Sequence, residues 1–214
     1  MSQVKDLCVM DVDGTLILEE VIDLLGREVD REEEISLITS RAMQGELDFE
    51  RSLRDRVSLL EGLPISVFDK VFKSIQLTPN AQEFISILQK NGTLVGLVSG
   101  GFTPIVERLA KSLDIAYFSA NQLEVKDGLL TGKLVGQIIS PQVKKETLEQ
   151  WRKELKLPKE RTIAIGDGAN DLLMLKSAGL GIAFCAKEVL KQEIPNHVDK
   201  RDFLEVLSLI DFLE

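Results

Sequence analysis

Four short apolar runs constrain the chain most: KDLCVMD over residues 5–11, TLVGLVS over 93–99, TIAIG over 162–166 and LGIAF over 180–184. Each is continuous rather than alternating, the pattern of parallel strands covered on both faces. A weaker fifth strand falls around Ile115 to Ser119. Between the runs, residues 80–90, 104–113, 143–156 and 169–177 space their apolar side chains by three and four, as amphipathic helices do. This alternation predicts an α/β fold with a doubly wound, Rossmann-like parallel sheet. QLEVKDGLLTGKLVG, residues 122–136, breaks the rhythm. Its Asp127-Gly128 dipeptide between strand-like flanks predicts a β-hairpin extension of the sheet. Residues 15–76 are helical in pattern throughout, rich in Glu, Arg and Leu, with breaks near Gly45 and at Gly62-Leu63-Pro64. They read as a small helical cap domain (15–76) inserted into a core formed by 1–14 and 77–214.

Several function classes are excluded early. The formal net charge of −9 sets the surface against nucleic acid and anionic lipid, so neither is an expected partner. No stretch of about 18 apolar residues occurs, and the N-terminus MSQVKDL lacks the apolar core of a signal peptide, which suggests a cytoplasmic protein. Cys8 and Cys185 both sit in apolar runs and read as buried, reduced thiols. His197 is the only histidine, in the polar segment IPNHVDKRD, and reads as a surface loop residue. A Ser-His-Asp or Cys-His centre, or an ordinary zinc site, therefore has little to be built from. Chemistry must run on carboxylates, hydroxyls, lysine and arginine.

In an open parallel sheet, ligands collect outside the carboxyl ends of the strands. The first strand ends in Asp11-Val12-Asp13 and the second in Ser99-Gly100-Gly101. The last two flank Gly166-Asp167-Gly168-Ala169-Asn170-Asp171, and Lys144 opens the preceding helix. Carboxylates at this density repel unless a cation neutralises them, and hard oxygen ligands suit Mg²⁺. A serine hydroxyl beside unobstructed glycine N–H groups, with a lysine, suits a phosphate. Together they imply phosphoryl transfer through an aspartyl-phosphate. Asp11 would attack phosphorus. Asp13 would protonate the leaving alkoxide and then accept a proton from water, and burial beside another carboxylate would raise its pKa accordingly. Each motif alone also reads as a turn, a strand-to-helix loop, a solvated lysine or a helix cap. Their shared edge favours the joint reading.

The set DVDGT, SGG, Lys144 and GDGAND resembles the haloacid dehalogenase superfamily of phosphohydrolases. AMQGELDFERSLRDRVSLLEGLP, SGGFTPIV, VKDGLLTG and GIAFCAKEVLK resemble its phosphoserine-hydrolysing branch along nearly the whole chain. That resemblance implies a role at the last step of L-serine biosynthesis, with O-phospho-L-serine as the small-molecule phosphoester and a monomer or homodimer as the working unit. It implies Asp11 as nucleophile and Asp13 as acid/base. Mg²⁺ would be held by the Asp11 carboxylate, the Asp13 carbonyl and Asp167. Ser99, the Gly100 N–H, Lys144 and Asn170 would hold phosphate, with Asp171 supporting the metal or the lysine from behind. Glu20 and Arg56 would hold the amino and carboxylate groups, and Met43 and Phe49 would line the cap side. Gly14 departs from this branch, where serine is common.

One of these assignments also has support from periodicity. Phe49, Leu53, Val57 and Leu60 form an apolar stripe, and Arg56 falls inside it. A charge on a face meant for burial needs a partner. A snorkelling arginine or a pair with a protein carboxylate would explain it, as would a clamp on a ligand carboxylate. Glu20 reads either as a residue leaning over the site or as half of an exposed Glu-Glu pair. The remaining rivals are a phosphotransferase to another alcohol such as homoserine, a phosphatase of another small metabolite, a phospho-receiver module and a non-catalytic sensor.

Overall fold

The computed structural model describes residues 4–211. Its frame is a seven-stranded sheet in the order β4-β3-β2-β1-β5-β6-β7. The strands are β1 (Asp6–Met10), β2 (Thr93–Phe102), β3 (Tyr117–Lys126), β4 (Leu129–Val135), β5 (Thr162–Gly166), β6 (Leu180–Phe184) and β7 (His197–Val198). Every pairing is parallel except β3 with β4. The central strand β1 lies between β2 and β5, so the order reverses there and a crevice opens at its carboxyl end.

Pleating explains the apolar runs. Along β1, Cys8 and Met10 enter the core on one face, while Leu7 and Val9 enter the core on the other. Helices α5 (Ala81–Lys90) and α6 (Thr103–Ser112) cover the first face; α7 (Pro141–Glu154) and α8 (Leu172–Ser177) cover the second. A short α9 (Glu188–Lys191) follows β6. Residues 21–74 contain α1 (Val21–Arg27), α2 (Glu32–Met43), α3 (Phe49–Ser58) and α4 (Val67–Ser74), with no strand among them. The chain enters and leaves this segment side by side. Ile17 and Leu77 form an antiparallel bridge, and the Leu18 N–H donates to the Gln76 carbonyl at 3.0 Å.

The hairpin turns at Asp127-Gly128 as the dipeptide predicts, but its first strand does two jobs. Residues 117–121 of β3 pair with β2, and the stretch from Gln122 on pairs with β4. The free edge of β4 meets the helical segment: Gly62 N–H donates to Leu130 O and Leu130 N–H to Leu63 O, each at 2.8 Å. This contact covers an edge that would otherwise invite pairing with another chain.

Four expectations need correction. His197 is exposed, but it lies in the short strand β7, paired with β6, rather than in a loop. The second strand does not stop at Ser99 but runs to Phe102, because a register shift between Val98 and Phe102 lets Ser99-Gly100-Gly101 bulge within it. The helix expected over 169–177 begins instead as a single tight turn at Ala169–Asp171. Cys8 is fully buried, but Cys185 is only half-buried, since its left-handed backbone (φ +46°) turns the chain outward after β6.

The approach of α7 to the sheet depends on a missing side chain. A Cβ on Gly96 would lie 2.5 Å from Trp151 Cζ3. We expect Gly96→Ala to cost about 1–3 kcal/mol in urea unfolding, the usual penalty for overpacking. Truncating the ring with Trp151→Leu should remove most of that penalty, so the double mutant falls well short of the sum. Additive losses would mean the two residues do not set this contact.

Candidate functional site

The site begins where β1 ends. Asp11 stays in the sheet through its N–H, which donates to the Ile165 carbonyl at 2.9 Å. The next residues form a tight loop, with Gly14 at φ +69° and the Ile17 N–H closing onto Val12 O at 3.0 Å. Residues 11 and 13 would share a face in a continuing strand, and the turn keeps both aspartates at the crevice. Asp13 accepts at both carboxyl oxygens: the Val21 N–H donates to Oδ1 at 2.8 Å and the Ser99 hydroxyl to Oδ2 at 2.9 Å. Burial pushes the Asp13 carboxyl up, and these two donors hold it back only in part.

The bulge in β2 is held by side chains where the ladder fails. The Gly101 N–H donates to Ser99 Oγ at 2.8 Å, and Asn121 Nδ2 donates to Gly100 O at 2.8 Å. Asn121 Oδ1 also accepts from the Ile139 N–H at 2.9 Å, which ties the bulge to the connection leading into α7.

That helix starts at Ser140-Pro141, a capping residue followed by proline at its first position. Its first turn carries Lys144, which is 0% exposed. Lys144 Nζ donates to Asp11 Oδ1 at 2.6 Å and to Asp171 Oδ1 at 2.7 Å. Burial alone would lower the lysine pKa; the two carboxylates more than offset this and raise it. Asp171 Oδ2 accepts from the Asp167 and Gly168 N–H groups, each at 3.2 Å. The Thr15 hydroxyl donates to Asp167 Oδ1 at 3.3 Å.

One carboxylate oxygen from each of Asp11, Asp167 and Asp171 falls within 4.8 Å of the others. Burial and mutual repulsion push Asp11 well up and Asp167 to about 7, Lys144 offsetting only part of the Asp11 shift. A cation among these oxygens is what would let the carboxyls ionise together. Asp171 already spends both oxygens on Lys144 and backbone N–H groups, which leaves Asp11 and Asp167 as the better carboxylate donors. Beside them, Asn170 lines the pocket with a buried Oδ1 that has no hydrogen-bond partner. An unpaired buried oxygen is costly and fits a site built around a ligand. The donor set therefore fits a hard divalent cation.

Opposite this acidic floor stands the helical segment. Glu20, Ile22, Met43, Phe49, Leu53 and Arg56 line a small cavity shared with Asp11, Asp13 and Gly100. Glu20 is half-buried, and desolvation followed by the fields of Asp13 and Asp167 drives its carboxyl well up. It is not an exposed member of a Glu-Glu pair. Arg56 is 2% exposed, so it does not snorkel. No carboxylate among the described residues approaches its guanidinium within 4.0 Å. Its protein partners are neutral: Nε donates to Ser52 O at 3.0 Å and Nη1 to Thr39 Oγ1 at 2.9 Å. Of the readings open in the sequence, only the ligand clamp leaves a buried guanidinium so placed.

All the residues singled out in the sequence thus gather at one end of the sheet. Asp11, Asp13, Glu20, Met43, Phe49, Arg56, Gly100 and Asn170 line the cavity, Asp167 lies beside Asp11, and Ser99, Lys144 and Asp171 brace Asp11 and Asp13 from behind. Sequence reasoning missed Thr15, Thr39 and Asn121. Each is a buried polar residue among mixed neighbours, so the sequence carried no signal that set it apart.

A doubly wound sheet with a lysine-braced acidic site at its switch point, roofed by helices, places the chain among the Rossmann-like α/β proteins that bind ligands at that point. The chain belongs to the haloacid dehalogenase-like hydrolases, a family it matches over residues 5–179. It is 51% identical over 211 residues to phosphoserine phosphatase of Streptococcus thermophilus, covering 99% of this chain and 98% of that protein. It is 46% identical over 210 residues to phosphoserine phosphatase of Methanocaldococcus jannaschii, covering 98% and 100%. Among solved structures, a phospho-aspartyl intermediate analogue of phosphoserine phosphatase superposes with a TM-score of 0.94 at 46% identity, covering 97% of this chain and 99% of that one. A substrate-bound phosphoserine phosphatase complex gives a TM-score of 0.94 at 45% identity, with the same coverage.

Lys144 offers a direct test of the electrostatics. We expect Lys144→Met to cost the metal-free protein about 3–5 kcal/mol at pH 7.5, because Asp11 and Asp171 lose their counter-charge. The Asp11 carboxyl, raised in the folded state, takes up its proton as pH falls, so the penalty should shrink at pH 5. Urea unfolding at the two pH values would show it, and a pH-independent penalty would contradict it.

Proposed function

We propose that this chain is a Mg²⁺-dependent phosphatase that hydrolyses O-phospho-L-serine to L-serine and phosphate. The observation that carries the substrate reading is Arg56, a buried guanidinium with no carboxylate partner among the described residues, facing a cavity whose floor is Asp11. A ligand carboxylate would complete it, and Glu20 across the same cavity suits the ligand's amino group. A phosphate then reaches Asp11. The identity to the named phosphoserine phosphatases over almost the whole chain supports the same reading.

The Asp11 carboxylate attacks phosphorus and the P–O ester bond breaks, leaving phosphate esterified to Asp11. Asp13 gives its proton to the departing serine oxygen, which is too basic to leave unaided. Water then attacks the same phosphorus, Asp13 takes a proton from it, and the Asp11–phosphate bond breaks to return both carboxyls to their starting states. Ser99, the Gly100 N–H, Lys144 and Asn170 hold the phosphoryl oxygens. The Asp11 carboxylate, the Asp13 carbonyl and Asp167 would hold Mg²⁺, which when bound supplies Lewis-acid stabilisation of the phosphoryl charge. Asp171 keeps Lys144 in place. In this reading residues 15–76 act as a cap domain over the core made by 1–14 and 77–214, excluding bulk water through Met43 and Phe49 until serine has left. The product fits the last step of L-serine biosynthesis in the cytoplasm.

Asp11→Asn should abolish phosphate release while phosphoserine still binds by calorimetry, and chelation should silence the wild type reversibly on adding MgCl₂. Full activity in either case would refute the mechanism. Arg56→Ala should raise KM for phosphoserine at least tenfold, a loss of about 1.4 kcal/mol or more, yet leave p-nitrophenyl phosphate much less affected. Equal effects on both substrates would show that Arg56 reads no carboxylate.

A further inference from the structure

Behind Arg56 lies a second layer that the catalytic description does not use. Thr39, on α2, is 2% exposed, and its hydroxyl accepts from Arg56 Nη1 at 2.9 Å. The same hydroxyl points its proton at two acceptors, Asp23 Oδ1 at 2.9 Å and Ile35 O at 2.9 Å. Asp23 belongs to α1 and Arg56 to α3, so this chain of contacts crosses three helices. Asp23 is half-buried and is not within ion-pair distance of the guanidinium; desolvation lowers the Arg56 pKa, and the field of Asp23, after that of Glu20, opposes this.

We propose that Asp23 and Thr39 are positioning residues for substrate selection: the Asp23–Thr39 relay holds the Arg56 guanidinium charged and aimed while leaving its free N–H groups for the ligand carboxylate. This rests on the phosphoserine reading above and names what sets the selectivity of that site.

The reasoning is one of donor counting. A guanidinium carries five N–H donors. The Ser52 carbonyl takes the one on Nε and Thr39 takes one on Nη1, so three have no acceptor among the described residues. A direct Asp23–Arg56 pair would be bidentate and would fill the fork that the ligand needs. Interposing a hydroxyl keeps the negative charge close enough to oppose part of the desolvation, yet leaves the fork open. The i−4 bond to Ile35 O alone would account for a threonine in a helix. It would not account for a carboxylate on another helix aimed at the same hydroxyl.

Steady-state kinetics on O-phospho-L-serine and O-phosphoethanolamine separate the outcomes, because the second ligand keeps the phosphate and amine and lacks only the carboxylate. The wild type should prefer phosphoserine; no such preference would overturn the substrate reading itself, and the relay with it. With that preference in hand, Thr39→Val should cut the ratio of the two kcat/KM values about tenfold, mostly through KM for phosphoserine. Thr39→Ser, which restores the hydroxyl, should recover the ratio. Asp23→Asn removes the charge at a half-buried position, so it keeps the test sharp even where Thr39→Val unfolds; it should lower the ratio in the same direction. A ratio unchanged in Thr39→Val or in folded Asp23→Asn, or equal losses on both substrates, would overturn the relay while leaving the substrate reading standing.

Discussion

The ion pair of Lys144 with Asp11 and Asp171 is the constraint on which the rest of the site depends. It joins three elements distant in sequence: the end of β1, the first turn of α7 and the turn after β5. A lysine with no solvent contact is tolerated only because carboxylates surround it, and the carboxylates are tolerated in part because the lysine is there. Buried ion pairs seldom add stability over an apolar core of the same shape. This one is better understood through geometry: Lys144 fixes the Asp11 carboxyl where β1 meets the crevice. The remaining imbalance, with Asp13, Asp167 and Glu20 close by, gives the floor of the pocket its demand for a cation.

Asp13 connects that floor to the roof. One of its oxygens takes the first N–H of α1 from the helical segment, and the other takes the Ser99 hydroxyl from the sheet. The carboxyl proposed to move the proton is therefore oriented from both sides of the cavity. Ser99 is in turn held through Gly101, and Gly100 through Asn121, so the alignment extends back to the connection before α7. Positioning here comes from a chain of single hydrogen bonds between elements, each costly to break because it is buried.

Much of this could be read from the chain. The continuous apolar runs marked the inner strands because parallel strands bury both faces, and Asp127-Gly128 marked the hairpin because few dipeptides suit that turn. Arg56 stood out because a charge on an apolar stripe breaks the helical pattern. The bulge at Ser99-Gly100-Gly101 was not legible, since glycines serve loops and bulges alike, and only the pairing with β3 decides between them. Thr39 and Asn121 were also hidden. Threonine and asparagine are ordinary in a helix or strand, and their importance lies in which distant atoms they meet. Cys185 misled for a related reason: its apolar neighbours suggested burial, but one left-handed residue at the strand's end redirected the side chain.

The two buried cations are handled in opposite ways, and that contrast says what each is for. Lys144 meets carboxylates directly on Asp11 and Asp171, so its charge is already answered by the protein. Arg56 is almost as hidden from water, but among the described residues it hydrogen-bonds only a carbonyl and a hydroxyl, with the Glu20 and Asp23 carboxylates acting on it through space. A protein that needed Arg56 only for packing would have paired it or replaced it, because an unanswered buried charge is among the most expensive groups a core can hold. The charge left unanswered is the one facing the cavity from the roof, opposite the acidic floor. A ligand that carries a carboxylate at one end and a phosphate at the other would satisfy the guanidinium and reach Asp11 at once, and a phosphoester without the carboxylate would leave the cost in place.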